Sequence, residues 1–216
     1  MREDGAPSSA YEIAQDGNGM LWLAASDGLY TFDGARFRRH EKVYDHPLQS
    51  PAITSVAIHG EMIWVAYQFG GASCFEPDAA RHYLPGEDAP SGSMHSLVRM
   101  PDGTMWATTI HGLYRLDKDR WRAVEAQEGL PPRYRPMVNL LHDGSLVVMA
   151  KDGLYQSVTA SEPGQWRFIK VLHEPGIRDH QLLPNGHLLI LRPDYSMQVV
   201  NLSSGRRTAF RPQTGL

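Results

Sequence analysis

A hydrophobic-aromatic segment recurs about every 42 residues, and this period constrains the fold more than any other feature of the chain. The copies are Met20-Leu21-Trp22-Leu23-Ala24, Met62-Ile63-Trp64-Val65-Ala66, Thr104-Met105-Trp106-Ala107-Thr108, Ser145-Leu146-Val147-Val148-Met149 and His187-Leu188-Leu189-Ile190-Leu191. Trp22, Trp64 and Trp106 set the register, and Val147 and Leu189 keep it where tryptophan is lost. A short apolar segment precedes each copy, at residues 11–15, 53–58, 95–100, 137–141 and 180–183, with a turn rich in Gly, Asp and Asn between. Such residues tolerate the positive φ of tight hairpins. Six residues after each register position stands Gly28, Gly70, Gly112 or Gly153, and in the fifth copy Tyr195. A third segment reads Gly-Leu-Tyr in three copies, and a fourth carries Phe37, Tyr83, Trp121, Phe168 or Phe210. Four short strands per 40–50-residue repeat are the signature of a β-propeller blade. The expectation is an all-β chain of about five four-stranded antiparallel blades, either a small closed ring or an open arc of a larger propeller.

The second segment of each copy is apolar on nearly every residue, as a strand covered on both faces should be. Trp22, Trp64 and Trp106 are therefore read as packing between blades, with Gly28, Gly70, Gly112 and Gly153 as structural turn residues. Helical periodicity is sustained nowhere, so almost no helix is expected. The chain divides into an N-terminal extension (1–10) and one propeller domain (11–216), with repeats at 11–52, 53–93, 94–135, 136–177 and 178–216. The Pro-rich stretch 128–136 reads as a stiff crossover between the third and fourth copies.

The chain has 216 residues, 42% hydrophobic, and a formal net charge of −3. That balance lacks the basic excess of a dedicated nucleic-acid binder. No run of 18 apolar residues occurs, so no membrane-spanning segment is expected. Residues 1–9 lack the apolar stretch of a secretory leader. A single Cys74 excludes an internal disulfide framework and a Cys-rich zinc site.

The strings Asp16-Gly17-Asn18-Gly19-Met20-Leu21-Trp22-Leu23-Ala24 and Asp27-Gly28-Leu29-Tyr30-Thr31-Phe32-Asp33 resemble the two-component-regulator propeller repeat. The third copy matches at Met105-Trp106 and Gly112-Leu113-Tyr114-Arg115-Leu116-Asp117, and the fourth keeps Asp152-Gly153-Leu154-Tyr155. The resemblance spans about residues 11–212. It implies the sensor propeller of a bacterial two-component or diguanylate-cyclase-type receptor, periplasmic, with its output signalling domain elsewhere in a longer parent chain. The repeat residues of that family are structural, so no catalytic residue carries over.

Motifs of chemistry are sparse. Asp16-x-Asn18 lacks the further ligands of a calcium loop, and Gly17-x-Gly19 lacks the third glycine of a dinucleotide fingerprint. Neither a Walker A sequence nor a Gly-x-Ser-x-Gly elbow occurs. No cofactor and no metal are assigned. His95 and His180, on first strands expected to line a central channel, and His111 in a turn are where imidazole ligation would arise, while His59, His142 and His187 read as solvated turn residues. Propeller topology places the loops before the first strand and between the second and third strands on one face. That face should carry Tyr44, Asp45 and His46 together with the candidate ligand-binding residues Tyr67, Gln68, His111, Tyr134, Arg135, Lys151, Arg178 and Arg192. Aromatics with Arg, His and Lys suit a small polar or anionic ligand or a peptide.

Two other functions compete with sensing. A lyase is one, because the streptogramin-lyase family shares a Gly-x-Leu-Trp-like strand; its acid/base groups would come from His173-Glu174 and Asp179-His180. The other is a structural fragment that forms homo-oligomers through blade edges.

Overall fold

A computed structural model describes residues 5–124, 126–131, 137–159 and 166–210. The chain forms two compact units, Met1–Ala123 and Val124–Leu216. The first holds three four-stranded antiparallel sheets. Blade one runs Ala10–Gln15, Leu21–Ala25, Gly28–Phe32 and Phe37–His40. Blade two runs Ile53–His59, Met62–Tyr67, Ala72–Glu76 and Ala79–Tyr83, and blade three Met94–Arg99, Met105–Thr109, Gly112–Asp117 and Arg120–Ala123. The second unit holds blade four (Met137–Leu140, Leu146–Ala150, Gly153–Thr159, Trp166–His173) and blade five (Asp179–Leu182, Leu188–Leu191, Met197–Val200, Arg207–Ala209). In every blade the strands lie in chain order, each paired with the next. Among the described residues the only helix is the single 3-10 turn Ala126–Glu128.

The turn between first and second strands is built alike in four blades. Asp16 Oδ1 accepts the Asn18 and Met20 N–H groups. Asp102 takes Thr104 N–H, Asp143 takes Ser145 N–H and Asn185 takes His187 N–H. A short side-chain carboxylate or amide mimics a backbone turn in this way. In blade one Trp22 Nε1–H also donates to Asp16 Oδ2 at 3.1 Å, so the register tryptophan clamps its own turn. The Asp-Gly-Leu-Tyr string forms a second clasp: Tyr30 O–H donates to Asp27, and Tyr155 O–H to Asp152, which Lys170 also pairs. Blade three has His111 in place of that aspartate.

The glycines of this turn serve two purposes. Gly70, Gly112 and Gly153 have positive φ. Gly28 does not, contrary to the turn reading; a Cβ there would lie 2.8 Å from Arg39 Nε and 3.2 Å from the Tyr30 ring, so those side chains would have to shift.

Blades pack face to face as expected. Trp22, Ala24 and Leu29 of blade one meet Val56, Val65 and Phe75 of blade two. Trp64, Ala66 and Cys74 of blade two meet Leu97, Met105, Ala107 and Trp121 of blade three. Trp64 stacks on Tyr83 and meets Trp121 edge-on at 6.2 Å. In the second unit Val147, Met149 and Leu154 meet Leu188, Ile190 and Val200. Trp106 is wholly buried, with the Arg115 guanidinium over its ring. Burial, with the nearby charge of Glu76, pushes the Cys74 thiol up to about 11, so it stays protonated.

The first strands of blades one to three are also joined by polar groups. Each has a bulge at the same register, between Ala10 and Glu12, Ile53 and Ser55, and Met94 and Ser96. Just past it, Ser55 O–H and Val56 N–H donate to Glu12 Oε2, and Leu97 N–H donates to Ser55 Oγ. Burial pushes the Glu12 carboxyl above the usual carboxylate range, against the pull of those two donors.

Candidate functional site

In the second unit the interblade loop 174–178 crosses the second-to-third-strand turns of both blades. Gly176 N–H donates to the Lys151 carbonyl at 3.2 Å, and Arg178 N–H donates to the Leu191 carbonyl at 2.9 Å. These bonds set the turns that carry Lys151 and Arg192 beside the loop that carries Arg178. Glu174, buried at the root of the loop, forms an ion pair with Arg192, whose Nε lies 3.0 Å from Oε1, and accepts a hydrogen bond from Arg207 Nη1 at 2.7 Å. The Arg178 guanidinium lies 4.3 Å from the centre of the Tyr195 ring. Tyr195 takes φ +66° and is 68% exposed. Asp194 Oδ1 holds this turn by accepting Ser196 N–H and O–H. The arrangement is a cationic edge with one stacked, outward-facing aromatic.

In the first unit the corresponding end is more apolar. A Cβ on Gly70 would meet the Gly92 backbone at 3.0 Å, and one on Gly92 would meet His111 Nε2 at 3.5 Å. The turns bearing Gln68 and His111 are thereby neighbours, and both side chains are exposed. Phe69 and Ile110 project beside them.

Tyr67 is not available to a ligand. It is 1% exposed, and its hydroxyl accepts Gln49 N–H and pairs with Ser73 Oγ, which also meets His82 Nδ1. Its place in the strand, one residue before the turn, points it into the core. Tyr44 departs from the expected face too: its hydroxyl donates to the Glu61 carbonyl, in the turn between first and second strands of blade two. Tyr134 and Arg135 lie outside the described residues.

His180 does not line a channel. It occupies the strand position of Val56, Leu97 and Val138, paired as each is with the residue just past the register position. Like them it is buried, at 4% exposure. Burial pushes its imidazole down to about 4, against the opposing pull of Asp179 and the Val147 backbone. His142 is exposed as expected, whereas His187 bonds Asn201 and His59 is partly buried. Among the described residues no three His, Cys, Asp or Glu side chains come together as a metal site.

Sequence reasoning missed Glu174 as an anchor, and Arg207, Tyr195 and Phe69 as site residues. Only Tyr195 carried a signal, as the one residue replacing glycine in its turn.

No family model matches this sequence, and no curated protein is significantly similar to it. Solved structures are. The extracellular domain of a hybrid two-component system of B. thetaiotaomicron superposes with TM-score 0.68 at 20% identity. The match covers 94% of this chain and 30% of that one. Virginiamycin B lyase from Staphylococcus aureus, crystallised with quinupristin, gives TM-score 0.68 at 13% identity over 100% of this chain and 73% of that one. PorZ, a surface component of the type-IX secretion system of Porphyromonas gingivalis, gives 0.71 at 12% identity, over 95% and 34%. The fold is that of a β-propeller. The chain spans under a third of the two-component domain it resembles, and identities this low speak for the fold alone.

Proposed function

We propose that this chain is a non-enzymatic binding module, the extracytoplasmic sensor part of a bacterial two-component or diguanylate-cyclase-type receptor. The observation that carries the reading is the exposed ring of Tyr195 stacked with the Arg178 guanidinium, on a loop cluster that also bears Lys151 and Arg192. Cations on a rigid scaffold attract an anionic group, and an exposed aromatic face takes the apolar side of a sugar or peptide. The fold likeness to an extracellular two-component domain supports a sensory context. A ligand seated there would act by favouring one arrangement of the receptor over another, transmitted to an output domain in a longer chain.

The lyase reading finds less support. His173 is exposed, Glu174 is committed to two arginines and His180 is a core residue. These groups do not converge on an accessible point where general acid–base chemistry could act.

Titration with galacturonate and with a short acidic peptide, read by Tyr195 chemical shifts, tests the proposal. Lys151→Ala and Arg178→Ala should weaken binding about tenfold or more, as loss of a charge-assisted contact does, with unchanged thermal stability. Arg192→Ala is the poorer probe because it also strips Glu174 of a partner. Equal affinity in wild type and both variants, or no binding of either probe, sinks the reading.

A further inference from the structure

Arg178 and Arg192 flank one turn of blade five. Arg192 N–H donates to the Ser196 carbonyl at 2.9 Å and Tyr195 N–H to the Arg192 carbonyl at 3.0 Å, closing the turn. Arg178 N–H donates to the Leu191 carbonyl and Asp179 pairs with Leu191, so the backbones of Arg178 and Arg192 are neighbours. Each guanidinium is held by a contact that leaves its terminal nitrogens unused. Glu174 Oε1 grips Arg192 through Nε, and Arg178 lies over the Tyr195 ring. Among the described residues neither arginine donates a hydrogen bond from a terminal nitrogen. A guanidinium free in this way is a planar fork shaped for a carboxylate or a phosphate.

The charges around the turn favour the phosphate. Lys151, Arg178, Arg192 and Arg207 stand against Glu174 and Asp194, all within blades four and five and the loop between them. Glu174 is buried and holds two of the arginines, while Asp194 is turned to its own chain, accepting Ser196 N–H and O–H. Asp152 is neutralised by Lys170. Asp179 projects from the other side of its strand to the buried His180. Four cations against two carboxylates leave a surplus of two positive charges. A carboxylate or a sulfate ester brings one negative charge. A phosphate monoester near neutral pH brings about two, with three acceptor oxygens. A tetrahedral group with three acceptors can engage two forks, whereas a planar carboxylate fills one.

We infer that, given the binding role proposed for this edge, its ligand is a phosphate monoester carried on a small sugar. The sugar's C–H face lies on the free side of the Tyr195 ring. Tyr195 is 68% exposed with Arg178 over its ring, so one ring face remains for one sugar ring. The backbone that presents the ring is left-handed, at φ +66°. That conformation is strained for a bulky residue, and strain of this kind concentrates at ligand clamps.

Titration with three ligands that share one ring tests it through the Tyr195 chemical shifts: galactose 6-phosphate, galactose 6-sulfate and galacturonate. The phosphate should bind about tenfold or more tighter than galacturonate, as an added charge-assisted contact allows. The sulfate has the same shape with one charge fewer and should fall between. Arg178→Lys keeps the charge and loses the fork. It should weaken the phosphate about tenfold and galacturonate less, with thermal stability unchanged. Galacturonate that binds as tightly as the phosphate overturns the inference and leaves the binding role standing. So does a sulfate that equals the phosphate, or an Arg178→Lys variant that keeps the full preference. Binding of none of the three overturns both.

Discussion

Between blades two and three the interface is aromatic and neutral: Trp64, Tyr83 and Trp121 interlock, with Met94, Leu97 and Met105 around them. Between blades four and five the same positions hold Val147, Met149, Leu188 and Ile190, and polar groups move in. His180 stands where the other blades place an aliphatic residue, and Glu174 is buried under two arginines. Shrinking the register residue removes apolar area that an aromatic would bury. The second unit fills the space with groups whose charge or neutrality must be held in place. The part of the molecule that strays furthest from the repeat is also the part that presents the cationic edge.

The largest test of this contrast is a pair of truncations. Trp64→Ala should cost about 3–5 kcal/mol, while Val147→Ala should cost about 2 kcal/mol from its smaller methyl loss. Urea midpoints measure both, and equal costs would break the contrast. Next comes acid. His180 is neutral in the folded chain, with its pKa near 4, whereas the unfolded chain takes up a proton near 6.5. Stability is present above the higher value and drains as pH falls toward the lower one, by about 3 kcal/mol in all. His180→Val, the residue of the equivalent site in blade two, should abolish that loss between pH 7 and 4.5. Glu12 works in the opposite sense: its raised pKa adds stability when protonated, lost as pH rises through its shifted range. Hydrogen exchange resolved by blade should therefore show the second unit loosening first in acid. The smallest effect is at Glu174. Glu174→Gln should cost roughly 1–2 kcal/mol, because the buried carboxylate is lost but both arginines are partly solvated. A double-mutant cycle with Arg207→Ala isolates the pair.

The repeat was legible because its cause is local and periodic. Tryptophans 42 apart, a glycine six residues on and Asx turns at fixed offsets all report short-range geometry, and each strand fell within a residue or so of its expected place. Tyr67 and His180 misled for one reason. Each was placed by its element, at a turn or on a first strand, whereas its side-chain direction depends on strand parity and on the bulge register, which pairing fixes. The sequence singled out Glu174 only as an acid/base candidate; its anchoring role was hidden because its partners lie 18 and 33 residues away and meet it only through the packing of one blade on the next. The cationic edge was half legible: loop topology gathered Lys151, Arg178 and Arg192, but not the aromatic ring beneath.

Gly153 shows how unevenly such a module can vary. A Cβ there would lie 1.9 Å from the Leu172 carbonyl oxygen, at the place where pairing between the third and outermost strands slips by one residue. Blade four has exchanged its tryptophan for valine and still folds, since neighbouring side chains can close around a smaller group. Backbone pressed against backbone has no such latitude. The alphabet permitted at this one position has a single letter, whatever happens to the hydrophobic signature around it.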